Sequence, residues 1–535
     1  MSSLMKGTAI LTIGMFLSKV LGLVYIFPFY AIIGQENVAL YSYAYIPYTI
    51  MLSVAISGAP IAVSKFVSKY NSIGDYESGR KLVKSGLLIM TITGFLSFLI
   101  LYLLATPIAH LVIKDEEQIF SVAQIASVIR WVSFALIVVP FMSLARGFFQ
   151  GYDHMKPTAI SQLIEQIVRI IALLVGSFLI IKVFGGLAET AVSFAVFSAF
   201  IGALGGLVIL YYYWNRLKPE FDLKLAQSVS SGKLSYKEIY SEVIRYSIPF
   251  VFVGVANPLF QLVDMLTFNT AMANIGLSKV TDIYLGMLNF NTHKIVIIPV
   301  MLATGFSMAL VPTITQYYTK KEHGSLINAM DKTYQILLFI TLPAVVGISL
   351  LSTDLYHVLY SNSAAGASIL ATYAPVAILF AFFQVTAALL QGIDYQKWIV
   401  LSLLTGILIK LAINIPLIEA MQTKGAILAT AIGYMVSITI NMLVLKKALD
   451  YRSKLVIRRS ILIIVLTVVM AAFVIVVHKG LTLIVPDPSK GLALINVVIC
   501  SCVGGVVYAF LSLRIGLAQK LLGERITRIS RKLGM

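Results

Sequence analysis

Charge is scarce in this chain. Only 12% of its 535 residues are Asp, Glu, Lys or Arg, about half the roughly 25% of an ordinary soluble domain. Acidic residues are the scarcer sign, 23 against 41 Lys and Arg. Cysteine occurs twice, as Cys500 and Cys502 within one apolar run. That excludes a disulfide framework and a zinc set, and both read as small apolar core residues. No Gly-rich phosphate loop ending in Gly-Lys-Ser or Gly-Lys-Thr occurs, so nothing reads as an ATPase of its own. What the chain has instead is hydrophobic surface: 59% apolar residues and a mean hydropathy of +0.92. A soluble globular enzyme, a disordered protein and a nucleic-acid binder are excluded. The net charge of +18 sits between long apolar runs and reads as the basic cytoplasmic rim of a membrane protein.

A spanning helix needs about 20 apolar residues. Fourteen candidate spans fall at 7–33, 39–64, 85–111, 122–145, 158–181, 189–213, 246–270, 284–316, 333–352, 366–390, 398–418, 425–445, 460–477 and 491–513. The first follows Lys6 without a small-residue cleavage pattern and reads as a retained helix rather than a signal peptide. With the N-terminus in the cytoplasm, inner segments hold 30 of the 41 basic residues, outer loops hold six, and five lie inside spans: Lys19, Arg130, Arg169, Lys294 and Lys410. That bias predicts both termini inside. Asp115, Glu116 and Glu117 make one outer loop acidic, and the tail Lys520, Arg525, Arg528, Arg531 and Lys532 reads either as an inner-leaflet contact or as a solvated helical end. No outer loop is long enough for a folded domain.

A shift of 241 residues lays Gln150-Gly151-Tyr152-Asp153 on Gln391-Gly392-Ile393-Asp394, with six identities in the twenty positions from 150 to 169. A weaker echo sets Ala59-Pro60 against Val311-Pro312. Both Gln-Gly-x-Asp turns fall on inner loops six spans apart, which predicts an all-α integral membrane protein with two six-helix lobes in a parallel pseudo-two-fold repeat plus two C-terminal helices. The expected division is 1–215 for the first lobe, 216–245 for a cytoplasmic linker, 246–450 for the second lobe, and 451–535 for the last two spans and the basic tail. Duplication for packing alone is the competing explanation. Two lobes that rock about a cavity imply alternating access.

Lys19 stands thirteen residues into span 1, about 20 Å along the helix. Arg169, Lys294 and Lys410 are each ten to twelve residues inside their spans, too deep for a side chain to snorkel out with ease. Each such charge costs about 2.5–3.5 kcal/mol at the bilayer centre, on the order of 10–14 kcal/mol for four facing lipid. A water-filled cavity between the lobes avoids that cost. Arg130 lies nearer the outer surface, within snorkelling reach. Two carboxylates, Glu165 and Asp264, share the membrane with these five cations, leaving an excess of +3 (five minus two). Glu165 is four residues before Arg169 and is expected to pair with it. Surplus positive charge between low-dielectric walls attracts an anion. The cargo is therefore expected to carry phosphate or a similar group, held by Lys19 and Lys294 and also by Arg169 and Lys410.

Span 8 carries the polar run Asn289, Asn291, Thr292, His293 and Lys294 before Pro299, as a bent helix lining a cavity would. His293 could couple cargo to protons or be a hydrogen-bonded wall residue. Span 7 carries Asn257, Gln261 and Asp264 on one face. Asp264 could bind a cation, pair with Lys294, or pack against the polar groups of span 8. Tyr41, Tyr43, Tyr45 and Tyr48 open span 2 and read as an interfacial belt or as stacking surfaces for sugar rings. Ser57, Gly58 and Pro60 then offer a place to bend or to pack closely.

Together these residues resemble the polysaccharide-biosynthesis flippases of the MOP superfamily, in particular the MurJ-like branch that includes stage V sporulation protein B. Phe16-Leu17-Ser18-Lys19-Val20-Leu21-Gly22 is similar to a Ser-Arg-Val-Leu-Gly motif of span 1, with Lys19 at a cavity arginine. Lys294, five before Pro299, falls at a second essential arginine. Arg146-Gly147-Phe148-Phe149-Gln150-Gly151, then Lys156-Pro157-Thr158-Ala159 and Gln162-x-x-Glu165-Gln166, is similar to the Gram-positive branch. The chain departs from many relatives at Tyr25, at His293, and at Met51 and Leu52, where no span 2 arginine stands; Leu390 precedes Asp394 where an amide would be expected. The resemblance implies an undecaprenyl-diphosphate-linked cargo, lipid II above all, moved from the inner to the outer leaflet of a bacterial cell membrane, with the lipid tail along spans 13 and 14. It implies no enzyme, no catalytic residue and no resident cofactor. Coupling would be to Na+ at Asp264, to H+ or to the membrane potential. Partners would be the anionic lipid-linked saccharide and membrane lipids, with no nucleic acid and a monomeric protein. The alternatives are a flippase for a teichoic-acid or exopolysaccharide unit, a drug or cation antiporter on the same scaffold, a membrane glycosyltransferase, and a non-transporting cell-wall scaffold.

Overall fold

The computed structural model describes residues 14, 17–56, 58–114, 117–229, 236–451, 454–484 and 489–522. Lys6, Phe16, Ser57, the Asp115-Glu116 pair and the tail cations Arg525, Arg528, Arg531 and Lys532 lie outside them. Among the described residues there is no strand, and twelve helices, from Val38–Ile56 to Lys490–Arg514, are long and apolar enough to cross a membrane. The expected first span appears as a shorter apolar helix, Leu17–Ile33. The eighth runs from Ser278–Gly286 through a π-helical stretch, Met287–Thr292, into His293–Thr319.

The spans are built inside out relative to a soluble helix. Tyr76–Val112 buries its small residues Gly86, Gly94, Ala105 and Ala109 and exposes Leu88, Ile92, Phe95, Leu99 and Leu103. Small residues let backbones approach, and large apolar ones face lipid at no solvation cost. A Cβ at Gly94 would sit 2.6 Å from the Leu136 carbonyl oxygen, so only glycine fits there. Cys500 follows the expectation of a packed core residue, whereas Cys502 is exposed.

The chain divides into two compact units, Met1–Gly286 and Met287–Met535. In the first, Met155–Phe178 lies along Ala188–Ala226, with Gly202 against the Arg169 side chain and the Glu165 carbonyl. Tyr236–Asn274 also packs within this unit: Asn269 Nδ2 donates to the Tyr43 hydroxyl (2.9 Å) and the Val112 carbonyl (3.0 Å). Span 2 is broken where Gly58 takes a left-handed backbone (φ 80°) between Val38–Ile56 and Ala59–Ser72. In the second unit, Gln396–Met421 lies along Thr423–Leu449, where the Ser437 hydroxyl donates to the Ser402 carbonyl at 2.8 Å.

The two Gln-Gly-x-Asp turns have one backbone. Asp153 and Asp394 both have φ 62°. The next amide, of His154 or Tyr395, donates to the carbonyl five residues back, Phe149 or Leu390, at 2.9 Å in each. Gly151 lies on Ser64 and Val67, and Gly392 on Val311 and Ile314. The counterparts of Val311 and Ile314 are therefore Ser64 and Val67, which corrects the weaker echo of Ala59-Pro60 with Val311-Pro312.

Candidate functional site

The first unit holds its intramembrane charges in two arrangements. Arg169 does not pair with Glu165 as its spacing suggests. Glu165 is taken by Arg146, whose Nη2 lies 2.7 Å from Glu165 Oε2 and whose Nε donates to Ser161 Oγ at 2.8 Å. The partner comes from the neighbouring helix Ala135–Gly151. Arg169 Nη2 instead donates to the hydroxyls of Tyr41 (3.1 Å) and Tyr45 (3.3 Å), and its guanidinium carbon lies 5.4 Å from the Tyr45 ring centre. The buried Arg169 Nε has no hydrogen-bond partner among the described residues.

The span 2 tyrosines are accordingly not an interfacial belt. Tyr41, Tyr43 and Tyr48 are buried and Tyr45 half-buried. Tyr41 stacks on Tyr45 with ring centres 5.3 Å apart and shares a hydrogen bond with Tyr25 (3.3 Å). Tyr25 thus joins the cage around Arg169 through Tyr41. Tyr43 donates to the buried Asp282, which also accepts the Ile119 amide at 2.9 Å. Arg130 Nη2 reaches the Thr106 hydroxyl (2.9 Å) and lies over the Tyr102 ring. Lys19 is exposed, Asn257 and Gln261 are half-buried, and Asp264 is buried.

In the second unit Asn289, Asn291 and Thr292 of the span 8 polar run lie in the π-helical stretch, and His293 and Lys294 open the α-helix that follows. The Thr292 hydroxyl donates to the Met287 and Leu288 carbonyls (2.9 and 3.0 Å), and the Tyr360 hydroxyl donates to the Asn291 carbonyl (2.9 Å). These bonds satisfy carbonyls that the wider turn leaves without α-helical partners. Asn291 Nδ2 donates to the Tyr356 hydroxyl at 2.8 Å. His293 is buried, with Nδ1 hydrogen-bonded to the Tyr373 hydroxyl (3.0 Å). Lys294 is half-buried, its Nζ 5.7 Å from the Phe290 ring centre. Lys410 does not line open space: it is fully buried and donates to Thr430 Oγ1 at 2.8 Å. A groove of about 390 Å3 runs between His323–Leu350 and the last two spans, lined by Pro343, Gly347, Met470, Val474, Gly504 and Tyr508.

The model of the family described as Polysaccharide biosynthesis protein matches residues 4–318, and that described as Lipid II flippase MurJ matches residues 286–486. The chain is 45% identical over 538 residues to the lipid II flippase MurJ of Bacillus subtilis (strain 168), covering 99% of each. The chain belongs to the MurJ family. A solved structure of lipid II flippase MurJ in an inward closed conformation matches with TM-score 0.65 at 14% identity, covering 94% of this chain and 99% of that one. An inward-facing multidrug resistance MATE transporter of the MOP superfamily matches with TM-score 0.64 at 15% identity, covering 81% and 94%. At such identities the likeness is one of fold, and the fold is shared by the flippase and the multidrug resistance transporter. It is the full-length sequence relative that places this multi-pass membrane protein with MurJ.

Arg146 is the site residue that span counting missed. It falls one residue past the expected span 4, 122–145, which leaves it outside the expected intramembrane charges. Its presence in the Arg146-Gly147-Phe148-Phe149 motif is the available signal.

Proposed function

We propose that this protein moves lipid II from the inner to the outer leaflet of the bacterial cell membrane by alternating access. The observation that carries the reading is the 45% identity to a lipid II flippase across 99% of both chains. In this reading the chain crosses the membrane fourteen times with both termini in the cytoplasm. Two six-span lobes alternate access to a central cationic cavity, and the protein works as a monomer.

The diphosphate would meet the exposed Lys19 and the half-buried Lys294. Arg169, held by two tyrosine hydroxyls with its Nε unpartnered, has one further N–H for an anion. Lys410, bonded to Thr430 in a fully buried place, supports the cavity wall rather than touching cargo. The prenyl tail would lie in the apolar groove beside the last two spans. An ion at Asp264, a proton or the membrane potential would reset the empty carrier. A fixed charge moving across the field is worth about 2.3 kcal/mol per 100 mV.

The decisive experiment is complementation of a bacterium depleted of its own lipid II flippase. Growth and normal peptidoglycan synthesis are expected. Lysis despite normal membrane expression would refute the assignment. Rescue only of a strain lacking a different polyprenyl-linked glycan flippase would transfer the function to that cargo.

A further inference from the structure

The first unit carries a hollow lined by none of the residues assigned to cargo above. It measures about 630 Å3, is walled by Leu87, Phe141, Phe148 and Leu207, and has Arg80 and Lys84 at one end. That volume is within the range of about 300–1,000 Å3 typical of small-molecule sites. Arg80 and Lys84 immediately precede the 85–111 span, and Trp214 immediately follows the 189–213 span. The basic end therefore sits at the membrane surface. Leu87, Phe141 and Leu207 carry the hollow into hydrocarbon; Leu87 is two turns from Arg80, about 10 Å.

The rim is preorganised. The Arg80 guanidinium carbon lies 5.1 Å from the Trp214 ring centre, and Arg80 Nη2 is 3.3 Å from Asp222 Oδ1. The buried Arg80 Nη1 has no hydrogen-bond partner among the described residues. Lys84 is exposed and makes no ion pair among the described residues. Two cations less Asp222 leave a charge of +1 at the mouth of an apolar slot.

We propose that this hollow binds an anionic phospholipid, with its phosphodiester on Lys84 and Arg80 Nη1 and one acyl chain along Leu87, Phe141 and Leu207. A monoanionic headgroup matches the local charge, whereas a diphosphate overfills it. A soluble anion would leave the apolar walls empty, and a neutral lipid would leave the net positive charge uncompensated. The inner leaflet as the source of the lipid rests on the cytoplasmic N-terminus proposed above. Binding itself does not, and neither does it depend on lipid II as cargo.

The test uses the full-length protein in neutral detergent, titrated with phosphatidylglycerol or phosphatidylcholine and read by native mass spectrometry. One tightly retained phosphatidylglycerol is expected, bound about tenfold more strongly than phosphatidylcholine. Lys84→Gln, at an exposed position, should weaken it about fivefold, the equivalent of about 1 kcal/mol for one basic residue at a membrane surface. Ala145→Trp, which fills the slot, should abolish it. Equal retention of the two lipids, or wild-type retention in both variants, would overturn the proposal. So would displacement of phosphatidylglycerol by an equimolar amount of undecaprenyl diphosphate, which would give the hollow to the cargo. Failure of complementation by the unaltered protein would remove the flippase reading and leave this measurement standing.

Discussion

Glu165 discriminates between two ways of neutralising charge in the membrane. Helical spacing pairs it with Arg169, and the structure pairs it with Arg146 at 2.7 Å, with side chains 24% and 11% exposed. Removing one member of a buried pair costs about 3–5 kcal/mol, because the other charge is stranded. Here the residual exposure of Glu165 lets water reach the site, so about 2–3 kcal/mol is expected for Glu165→Ala. Arg146 would keep only its bond to Ser161. Neutralising both, as Arg146→Met with Glu165→Gln, removes the stranded charge and should cost less than the two single changes added together. The coupling should reach at least about 1.5 kcal/mol. Arg169 keeps its two tyrosine partners whatever happens to Glu165, so the cycle between Arg169→Met and Glu165→Gln should show coupling within about 0.5 kcal/mol of zero. Both cycles can be measured by denaturant unfolding of the purified protein in mixed micelles. A larger coupling for Arg169 with Glu165 than for Arg146 with Glu165 would refute the assignment.

Lys19→Ala and Lys294→Ala should each abolish complementation with membrane expression intact; full activity in both would remove the anion-site reading. Tyr41→Phe with Tyr45→Phe should destabilise the protein by about 1–3 kcal/mol for each hydroxyl lost to the buried guanidinium, seen as a lowered Tm, while Tyr48→Phe should not. Burial raises the Asp282 carboxyl above the ordinary carboxylate range, against the bonds from Tyr43 and Ile119 that pull it down. A carboxyl raised by folding gives stability that is full below its unfolded value of about 3.9 and is lost as pH rises through the folded value. Unfolding measured from pH 4 upward should therefore show a falling contribution that Asp282→Asn abolishes; an unchanged pH dependence in the variant would contradict it.

The apolar runs were legible because the membrane imposes a length and a composition that few other constraints produce. Gly58 and Pro60 announced the break in span 2, and the amides and Thr292 before Pro299 announced an irregular span 8. The form of that irregularity was not legible, since a π-helical turn depends on where Thr292 and the distant Tyr360 place their hydroxyls. The tyrosines misled for a related reason. Four tyrosines at a span end match an interfacial belt in composition, but their environment depends on the helices beside them, and those bury Tyr41 and Tyr43 completely. Pairing of Glu165 failed at the same level. Spacing along one helix identifies neighbours on that helix and is blind to Arg146 on the next.

The duplicated turn shows which part of a repeat survives and why. Of the matched positions, the glycine meets a steric demand and the aspartate a backbone demand. Gly151 and Gly392 lie against a neighbouring helix so closely that a Cβ would come within 2.6 Å of Val67 or Ile314. Asp153 and Asp394 occupy the left-handed region at φ 62°, where a short polar side chain is tolerated better than most. Side chains that face cargo or a local partner are under no such symmetric demand. The repeat accordingly sets Arg169, caged by tyrosines, against Lys410, buried on Thr430. Equivalent positions in the two copies share a backbone and differ in chemistry. The cations of one copy therefore cannot be assigned by analogy with the other, and each of Arg169 and Lys410 has to be tested by its own substitution.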